Sequence, residues 1–213
     1  MQATLVEALA VRPRTGVRFP PPPFLSGKET LRQEQARVTV RNEAPLDFAA
    51  IREVVRSAFD KDETADLVDR IRVSANYVPD LSFVAEQDGR IVGHIMLSYV
   101  DVVDRATTHR ALTLSPVSVL PEAQGGGIGG TLIETATQKA DQRGEPMIIL
   151  EGSPRYYPRF GFKPAKDFGI EIHLPDWAPE EAAMVKALTS YRSEIKGKVV
   201  YPPAFDVVNV DRQ

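Results

Sequence analysis

The seven residues from Gln124 to Gly130, Gln-Gly-Gly-Gly-Ile-Gly-Gly, carry the strongest chemical signal in this 213-residue chain. They separate a β-rich segment from a predicted helix that begins near Thr131. Glycine lets a backbone approach a ligand closely, and the free N–H groups at the start of a helix attract negative charge. The loop therefore predicts a phosphate or pyrophosphate site. The structural alternative is a turn whose glycines only allow close packing between helix and strand.

One phosphate-binding interpretation is the dinucleotide fingerprint Gly125-x-Gly127-x-x-Gly130. Glu151 would then end the next strand, at about the distance of a ribose-binding acid. That fingerprint normally follows the first strand of a parallel sheet, whereas three strands of a predicted antiparallel meander precede it here. The pattern thus disfavours a nicotinamide-dependent oxidoreductase, which remains an alternative.

A second interpretation begins at Gln124, because Gln124-x-x-Gly127-x-Gly129 resembles the pyrophosphate loop of the GCN5-related N-acetyltransferase (GNAT) superfamily. The segment from Val117 to Glu122 is similar to that family's fourth strand. Tyr157-x-x-x-Gly161-Phe162 follows at the family's spacing. The fuller stretches 151–162 and 199–205 resemble one subgroup of predicted bacterial N-acetyltransferases.

The resemblance covers residues 38–208 and implies an α/β (α+β) fold with a mixed, mostly antiparallel central sheet flanked by helices. In the family, the fourth and fifth strands are parallel and splay apart, which leaves a slot for the pantetheine arm of acetyl-CoA. Pro116 lacks an N–H group, so the strand that contains it must bulge or break there. The backbone groups near Val117 and Val119 would then be free to bond the pantetheine amides.

The resemblance also implies the residues that would hold acetyl-CoA, the expected co-substrate. They are Val117, Ser118, Val119, Gln124, Gly125, Gly126, Gly127, Ile128, Gly129, Gly130, Thr131 and Ser153. Ser153 is included because the family's usual asparagine is absent between Leu150 and Arg155.

Tyr157 matches the family's tyrosine that faces the leaving thiolate. A phenol keeps its proton at neutral pH and can donate it to sulfur, so Tyr157 is the predicted catalytic residue. A shift of one residue in the alignment would give this role to Tyr156 instead, and packing beside Phe160 is the structural alternative.

The general base cannot be assigned from the sequence, since Ala111–Leu120, the predicted fourth strand, contains no acid. His94 lies on a strand face with apolar neighbours, which favours a packed or hydrogen-bonded core histidine over a base. His109 and His173 have no partner at metal-ligand spacing, so no metal site is expected. The candidate acids are Glu86, Asp101, Glu122 and Glu151.

The absence of cysteine excludes an acyl-cysteine intermediate and favours direct attack of a primary amine on acetyl-CoA within a ternary complex. The acceptor would be a small molecule or a peptide. A non-catalytic acyl-CoA-binding module is the second hypothesis, since it would keep the loop without needing a base.

Hydrophobic periodicity predicts the elements that position these residues. Strands are expected at Val38–Arg41, Leu81–Glu86, Ile91–Val103, Ala111–Leu120 and Pro146–Leu150, and helices over the Phe48–Phe59 face, Thr64–Asn76 and Thr131–Arg143. Asp88-Gly89 predicts a tight hairpin turn. Ser153-Pro154 predicts a helix start. Local propensity favours a helix over Glu180–Ser190, whereas the family resemblance implies a strand at Met184–Leu188. We expect the strand, which would pair with Lys198–Tyr201.

The net charge of −3 offers no basic surface for nucleic acid, and no apolar run reaches the ~20 residues of a membrane span. Residues 1–37 contain five prolines and six basic residues against three acidic ones. We expect a disordered extension or an over-long assigned start there, with a transit peptide or a proline-rich ligand as alternatives. The acetyltransferase domain would be residues 38–213, cytoplasmic, and a monomer or homodimer.

Overall fold

The computed structural model describes residues 38–105 and 107–208, so the predicted extension at 1–37 lies outside the described residues. The helices of this part are α1 (Phe48–Phe59), α2 (Asp62–Arg72) and α3 (Ile128–Gln142). The strands are β1 (Val38–Asn42), β2 (Tyr77–Gln87), β3 (Arg90–Asp104), β4 (Thr107–Val119), β5 (Met147–Glu151), β6 (Lys163–Pro164), β7 (Ile170–Glu171), β8 (Ala183–Ala187) and β9 (Gly197–Val200).

These strands form one sheet in the order β1-β2-β3-β4-β5-β8-β6, and β9 joins β3 to β7. Every pair is antiparallel except β4 with β5 and β7 with β9. The mixed, mostly antiparallel sheet predicted above is therefore confirmed. A doubly wound parallel sheet, which the dinucleotide alternative needs, is excluded.

The helices cover the two faces of the sheet because strand side chains alternate between them. Leu132 and Ile133 of α3 belong to a buried cluster with Ile95 of β3. On the opposite face, Ile51 of α1 and Leu67 of α2 join a second cluster with alternate strand residues such as Met96. We refer below to the α3 face and the α1/α2 face.

The turn between β2 and β3 confirms the hairpin prediction. Asp88 and Gly89 have φ angles of 53° and 77°. A two-residue turn with both φ angles positive has the twist that antiparallel strands need, and Asp-Gly adopts it at little cost.

Two local predictions are wrong. Met184–Leu188 does enter a strand, β8, but β8 pairs with β5 and β6, whereas Lys198–Val200 in β9 pairs with β3 and β7. Ser153-Pro154 begins a turn and a short 3-10 helix, Tyr157–Phe160, rather than an α-helix. The second helix also ends earlier than expected, at Arg72, because Tyr77 already belongs to β2.

Candidate active site

The glycine loop adopts a backbone that few other residues tolerate. Gly125 and Gly127 both have φ near 84°, in the left-handed region, and a Cβ atom at either would meet nothing within 4 Å. Glycine is therefore needed for conformation here, and open space lies beside the backbone. Gly127 is the N-cap of α3, whose first N–H groups lack intrahelical acceptors.

Gln124 fixes this loop to the end of β4. Its side-chain Nε2 donates a hydrogen bond to the carbonyl oxygen of Val119, 3.0 Å away. The glutamine thus sets the position of the loop through its amide group, which is a role that spacing alone did not indicate.

The strands β4 and β5 separate directly beside this loop. Their only partnered residues are Leu112 with Ile148 and Thr113 with Ile149, so the pairing ends at Thr113. On its other edge β4 continues along β3, with a bulge in the pairing between Ile95 and Leu97, opposite Pro116. The predicted bulge and the splay of the parallel pair are therefore both present.

Backbone groups of β4 point into the gap that results. The Leu120 N–H donates to Val92 O of β3 at 2.9 Å. Since antiparallel pairs alternate between bonded and non-bonded residues, Ser118 also faces β3, whereas Val117 and Val119 direct their N–H groups toward β5. With the Val119 carbonyl bound by Gln124, two N–H groups and one carbonyl line the gap.

Tyr157 lies at the far side of the gap and is fully buried. Among the described residues its hydroxyl has no hydrogen-bond partner. Burial, together with the neighbouring Tyr156, raises the pKa of this phenol above its ordinary value, so it stays protonated. A buried hydroxyl without a partner is costly and needs a functional explanation.

Gly152 allows the Tyr157 ring to occupy this position. A Cβ atom at Gly152 would be 2.3 Å from Cε2 of the ring. Real side chains never approach so closely, so any other residue would displace the ring. No sequence pattern indicated this contact, because the two residues are five apart on an irregular turn.

Tyr156 lies nearer to the glycine loop than Tyr157 does. Its hydroxyl is 3.1 Å from the Cβ position of Gly129, and its ring meets that of Tyr157 edge-on at 5.1 Å. The guanidinium of Arg159 stacks over the Tyr156 ring at 3.9 Å. Tyr156 and Arg159 therefore form the wall opposite the start of α3.

A cavity of about 570 Å³ connects these features. Its lining consists of Ala58 and Phe59 at the end of α1, residues 117–119, residues 123–130 except Gly126, and the four residues Tyr156, Tyr157, Arg159 and Phe160. The predicted residues of β4, the loop and Tyr157 are thus brought together. Ala58, Phe59 and Arg159 were not predicted as site residues.

Three of the residues expected to hold acetyl-CoA do not line the cavity. Gly126 belongs to the loop but is absent from the cavity lining, and the hydroxyl of exposed Thr131 donates to Gly127 O at 3.4 Å. Ser153 forms the turn before Tyr157, since its Oγ accepts from the Arg155 N–H at 3.3 Å. Their expected contacts with acetyl-CoA stay predictions.

The four candidate acids differ in their surroundings. Glu86 is ion-paired with Arg41 at 3.1 Å, toward the far edge of the sheet, and Glu122 is exposed near Arg90. Asp101 is exposed as well. Glu151, at the end of β5, is only 6 % exposed.

His94 belongs to a buried charged cluster that the sequence did not reveal. Its Nε2 lies 2.9 Å from Glu43, and Arg72 and Tyr77 both donate to the same carboxylate. Burial raises the pKa of Glu43, but the hydrogen bonds from His94 and Arg72 outweigh it and leave the pKa below its ordinary value. Burial lowers the pKa of His94. The interpretation as a hydrogen-bonded core histidine is confirmed.

Two further findings concern the described part of the chain. In it, no three His, Cys, Asp or Glu side chains are grouped as metal ligands would be. No helix between residues 38 and 208, residue 106 aside, is long and apolar enough to cross a membrane.

Comparison with known proteins decides the family. A profile described as the acetyltransferase (GNAT) family matches residues 48–162, which include the gap, the loop and Tyr157. The chain belongs to this family. The GNAT resemblance recognised in the sequence is therefore confirmed, and with it membership of a family of acetyltransferase enzymes.

Individual GNAT proteins resemble the chain over most of their length. The Escherichia coli (strain K12) protein called uncharacterized N-acetyltransferase YjhQ is 34% identical over 157 residues, which is 72% of this chain and 86% of that protein. The crystal structure of Escherichia coli YhbS in complex with CoA superposes with a TM-score of 0.72 and 26% identity, covering 80% of this chain and 93% of that one. The crystal structure of a Brucella melitensis GNAT family acetyltransferase in complex with acetyl-CoA superposes with a TM-score of 0.65 and 32% identity. The match covers 81% of this chain and 100% of that one.

Proposed function

We propose that this GNAT protein transfers the acetyl group of acetyl-CoA to a primary amine by direct attack in a ternary complex. The observation that carries the proposal is a single cavity whose lining includes the glycine loop, residues 117–119 of β4 and Tyr157. The CoA and acetyl-CoA complexes of the two similar proteins support the choice of co-substrate.

The loop fits the pyrophosphate of acetyl-CoA by charge and by shape. Residues 124–130 surround the start of α3, where unpaired N–H groups carry partial positive charge. The open space beside Gly125 and Gly127 leaves room for phosphate oxygens close to the backbone. Neither feature requires a basic side chain.

The β4 side of the gap fits the pantetheine arm and the thioester. The N–H groups of Val117 and Val119 need acceptors there, and an extended chain with amide groups supplies them. One of these donors, the Val119 N–H, would stabilise negative charge on the thioester oxygen during attack.

Tyr157 would supply the proton that the departing sulfur takes up. Its raised pKa keeps the donor protonated across the neutral range, and its hydroxyl lacks a partner among the described residues. Donation to sulfur would satisfy that hydroxyl only when the thiolate forms, which favours the transition state over the ground state.

The experiment is a thiol-release assay with acetyl-CoA against a panel of amines that includes small amines and lysine-containing peptides. It is preceded by thermal unfolding with acetyl-CoA and with NAD. We expect stabilisation by acetyl-CoA alone and turnover of at least one amine. Initial rates with both substrates varied should intersect, as in a ternary complex. Stabilisation by NAD alone, or parallel lines typical of a covalent intermediate, would contradict the proposal.

A further inference from the structure

We propose that Glu151, held by the hydroxyl of Tyr201, is the catalytic base that accepts the proton of the attacking amine. This inference rests on the proposed transfer to an amine and names the group that the reaction still lacks. The inference starts from Glu151, a buried carboxylate at the end of β5. This residue lies beyond the part of β5 that pairs with β4.

The position of Glu151 along β5 is the first argument. The pairing of β5 with β4 ends at Ile149, so Glu151 lies two residues beyond the point where the strands separate. Its neighbour Gly152 is the residue whose backbone lies against the Tyr157 ring. Glu151 therefore lies at the strand end directly before the turn that carries the proposed proton donor.

The face on which Glu151 lies is the second argument. Ile148 and Leu150 belong to the core on the α3 face, whereas Met147 and Ile149 pack with residues of the opposite face. Because side chains alternate along a strand, Glu151 shares the face of Met147 and Ile149. The pyrophosphate loop begins α3, so a thioester arm that enters the gap from this loop would present its carbonyl toward the other face, where an amine could meet Glu151.

The orientation of the carboxylate is the third argument. The Tyr201 hydroxyl donates a hydrogen bond to Oε1 of Glu151 at 2.8 Å. Tyr201 follows β9, which pairs with β3, so the bond joins two distant parts of the chain across the α1/α2 face. The Tyr201 hydroxyl therefore fixes the orientation of the Glu151 carboxylate at this end of β5.

Two other buried carboxylates are bound by arginine side chains. Asp47 is bound by both terminal nitrogens of Arg41, and Glu43 by Arg72. The remaining candidate acids, Glu86, Asp101 and Glu122, lie away from the gap or are exposed, as described above.

The reaction balances with groups that are already present. The amine nitrogen forms a bond to the thioester carbonyl carbon, and the carbon–sulfur bond breaks with its electron pair going to sulfur. Glu151 takes the N–H proton, and sulfur takes the Tyr157 proton. Proton exchange with solvent then restores the Glu151 carboxylate and the Tyr157 phenol, so the net products are the amide and free CoA thiol.

The test is Glu151→Gln, which keeps the size and the acceptor for Tyr201 but cannot take up a proton. With the best amine of the panel we expect kcat to fall by about 100-fold or more. The KM for the amine and the dissociation constant of acetyl-CoA should stay within about twofold, since a change confined to the transition state leaves binding intact.

Glu145→Gln is the matched control. Glu145 precedes the other end of β5 and accepts a hydrogen bond from Tyr99 at 2.7 Å, so it repeats the tyrosine–glutamate pair far from the gap. We expect wild-type kcat from this variant. An equal loss of kcat in both variants would show a general structural effect and overturn the proposal.

Tyr201→Phe tests the positioning of the carboxylate. We expect kcat to fall by about tenfold with an unchanged KM, and no further loss when this change is added to Glu151→Gln, because both act through one carboxylate. Should Glu151→Gln fail to fold, Tyr201→Phe alone decides: a selective loss of kcat supports the proposal, and wild-type kcat overturns it.

The outcomes also separate this inference from the proposed function. A wild-type protein that binds acetyl-CoA but acetylates no amine would overturn both. A wild-type protein that acetylates an amine, with an unimpaired Glu151→Gln variant, would overturn only the assignment of the base.

Discussion

Tyr156 and Tyr157 are adjacent in the chain, yet their hydroxyl groups lie in different surroundings. The Tyr157 hydroxyl is buried beside the gap, while Tyr156 lies against Gly129 at the loop. The motif alone did not distinguish their roles, because a shift by one residue preserves its aromatic character. Their different surroundings make separate predictions for the two side chains.

Tyr157→Phe should reduce kcat by about tenfold to 100-fold while leaving the affinity for acetyl-CoA unchanged, because only the proton donor is lost. The measurements are thiol release and calorimetric binding of acetyl-CoA. Tyr156→Phe is the control and should keep its kcat. The reverse pattern would assign the proton donor to Tyr156.

Gly152→Ala should displace the Tyr157 ring, because the new methyl group would overlap Cε2. We expect a free energy of unfolding lower by about 1–3 kcal/mol, as for overpacked cores, together with a reduced kcat. Urea unfolding and thiol release measure the two effects. Gly126→Ala is the matched change, since its Cβ would lie 3.7 Å from the nearest atom, Ala123 O. Equal stability of the two variants would contradict the role given to Gly152.

At the scale of elements, the strand–loop–helix unit of β4, residues 120–127 and α3 builds most of the cavity. Gln124 ties the loop to β4, and Gly127 ends it in a left-handed conformation at the start of α3. The binding site is thus composed largely of backbone, so its function depends on conformation more than on side-chain chemistry.

Gly127→Glu should abolish measurable acetyl-CoA binding, because the side chain would fill the space beside the helix start and repel the phosphates. Gly127→Asn is the control, since asparagine tolerates positive φ and adds no charge. We expect it to retain binding within about tenfold, because a strained left-handed residue costs about 1 kcal/mol. Calorimetry measures both, and tight binding by the glutamate variant would place the pyrophosphate elsewhere.

What could be predicted from the sequence was whatever depends on local spacing. The Asp88-Gly89 turn and the inward face of α1 follow from neighbouring residues, and the structure confirms both. The predicted pairing of β8 was wrong, because the family resemblance implied a strand there while the sequence did not indicate which edge of the sheet is open to it. The partnership of Glu43 with Arg72, 29 residues away, had no signal either, since the sequence shows only two charges near predicted element ends.

The molecule as a whole divides its chemistry between the two sheet faces. The α3 face carries the glycine loop together with Tyr156 and Arg159. On the α1/α2 face, Arg72 and His94 are buried around the carboxylate of Glu43. That cluster joins the residue after β1 to the end of α2 and to β3. Buried charges of this kind stabilise the fold only while each keeps its partner.

Glu43→Gln should lower the free energy of unfolding by about 3–5 kcal/mol, because Arg72 would remain buried without its counter-charge. Urea unfolding at pH 7.5 measures the loss. Glu53→Gln is the control, since Glu53 forms an exposed pair with Arg56, and such pairs contribute about 0–1 kcal/mol. Similar losses in both variants would contradict the role of the cluster.

Acidification should destabilise the wild-type protein through the same cluster. The pKa of His94 is lowered, so its contribution is present above the unfolded value of about 6.5 and is lost as the pH falls below it. The pKa of Glu43 is lowered as well, so its contribution is lost as the pH falls below about 4.3. The urea midpoint should therefore decrease on going from pH 7.5 to 5.5. A constant midpoint over that range would contradict the buried, neutral His94.

Because backbone N–H groups along β4 point alternately to β3 and to the gap, their hydrogen exchange can show whether acetyl-CoA occupies the gap. Amide hydrogens of Ser118 and Leu120 face β3 and should exchange slowly with deuterium at all times. Those of Val117 and Val119 face the gap, so they should exchange quickly in the free protein and slowly once acetyl-CoA is added. NMR-detected exchange at these four amides would thus show whether the pantetheine arm of acetyl-CoA binds beside β4. The amides of Ser118 and Leu120 would serve as internal references.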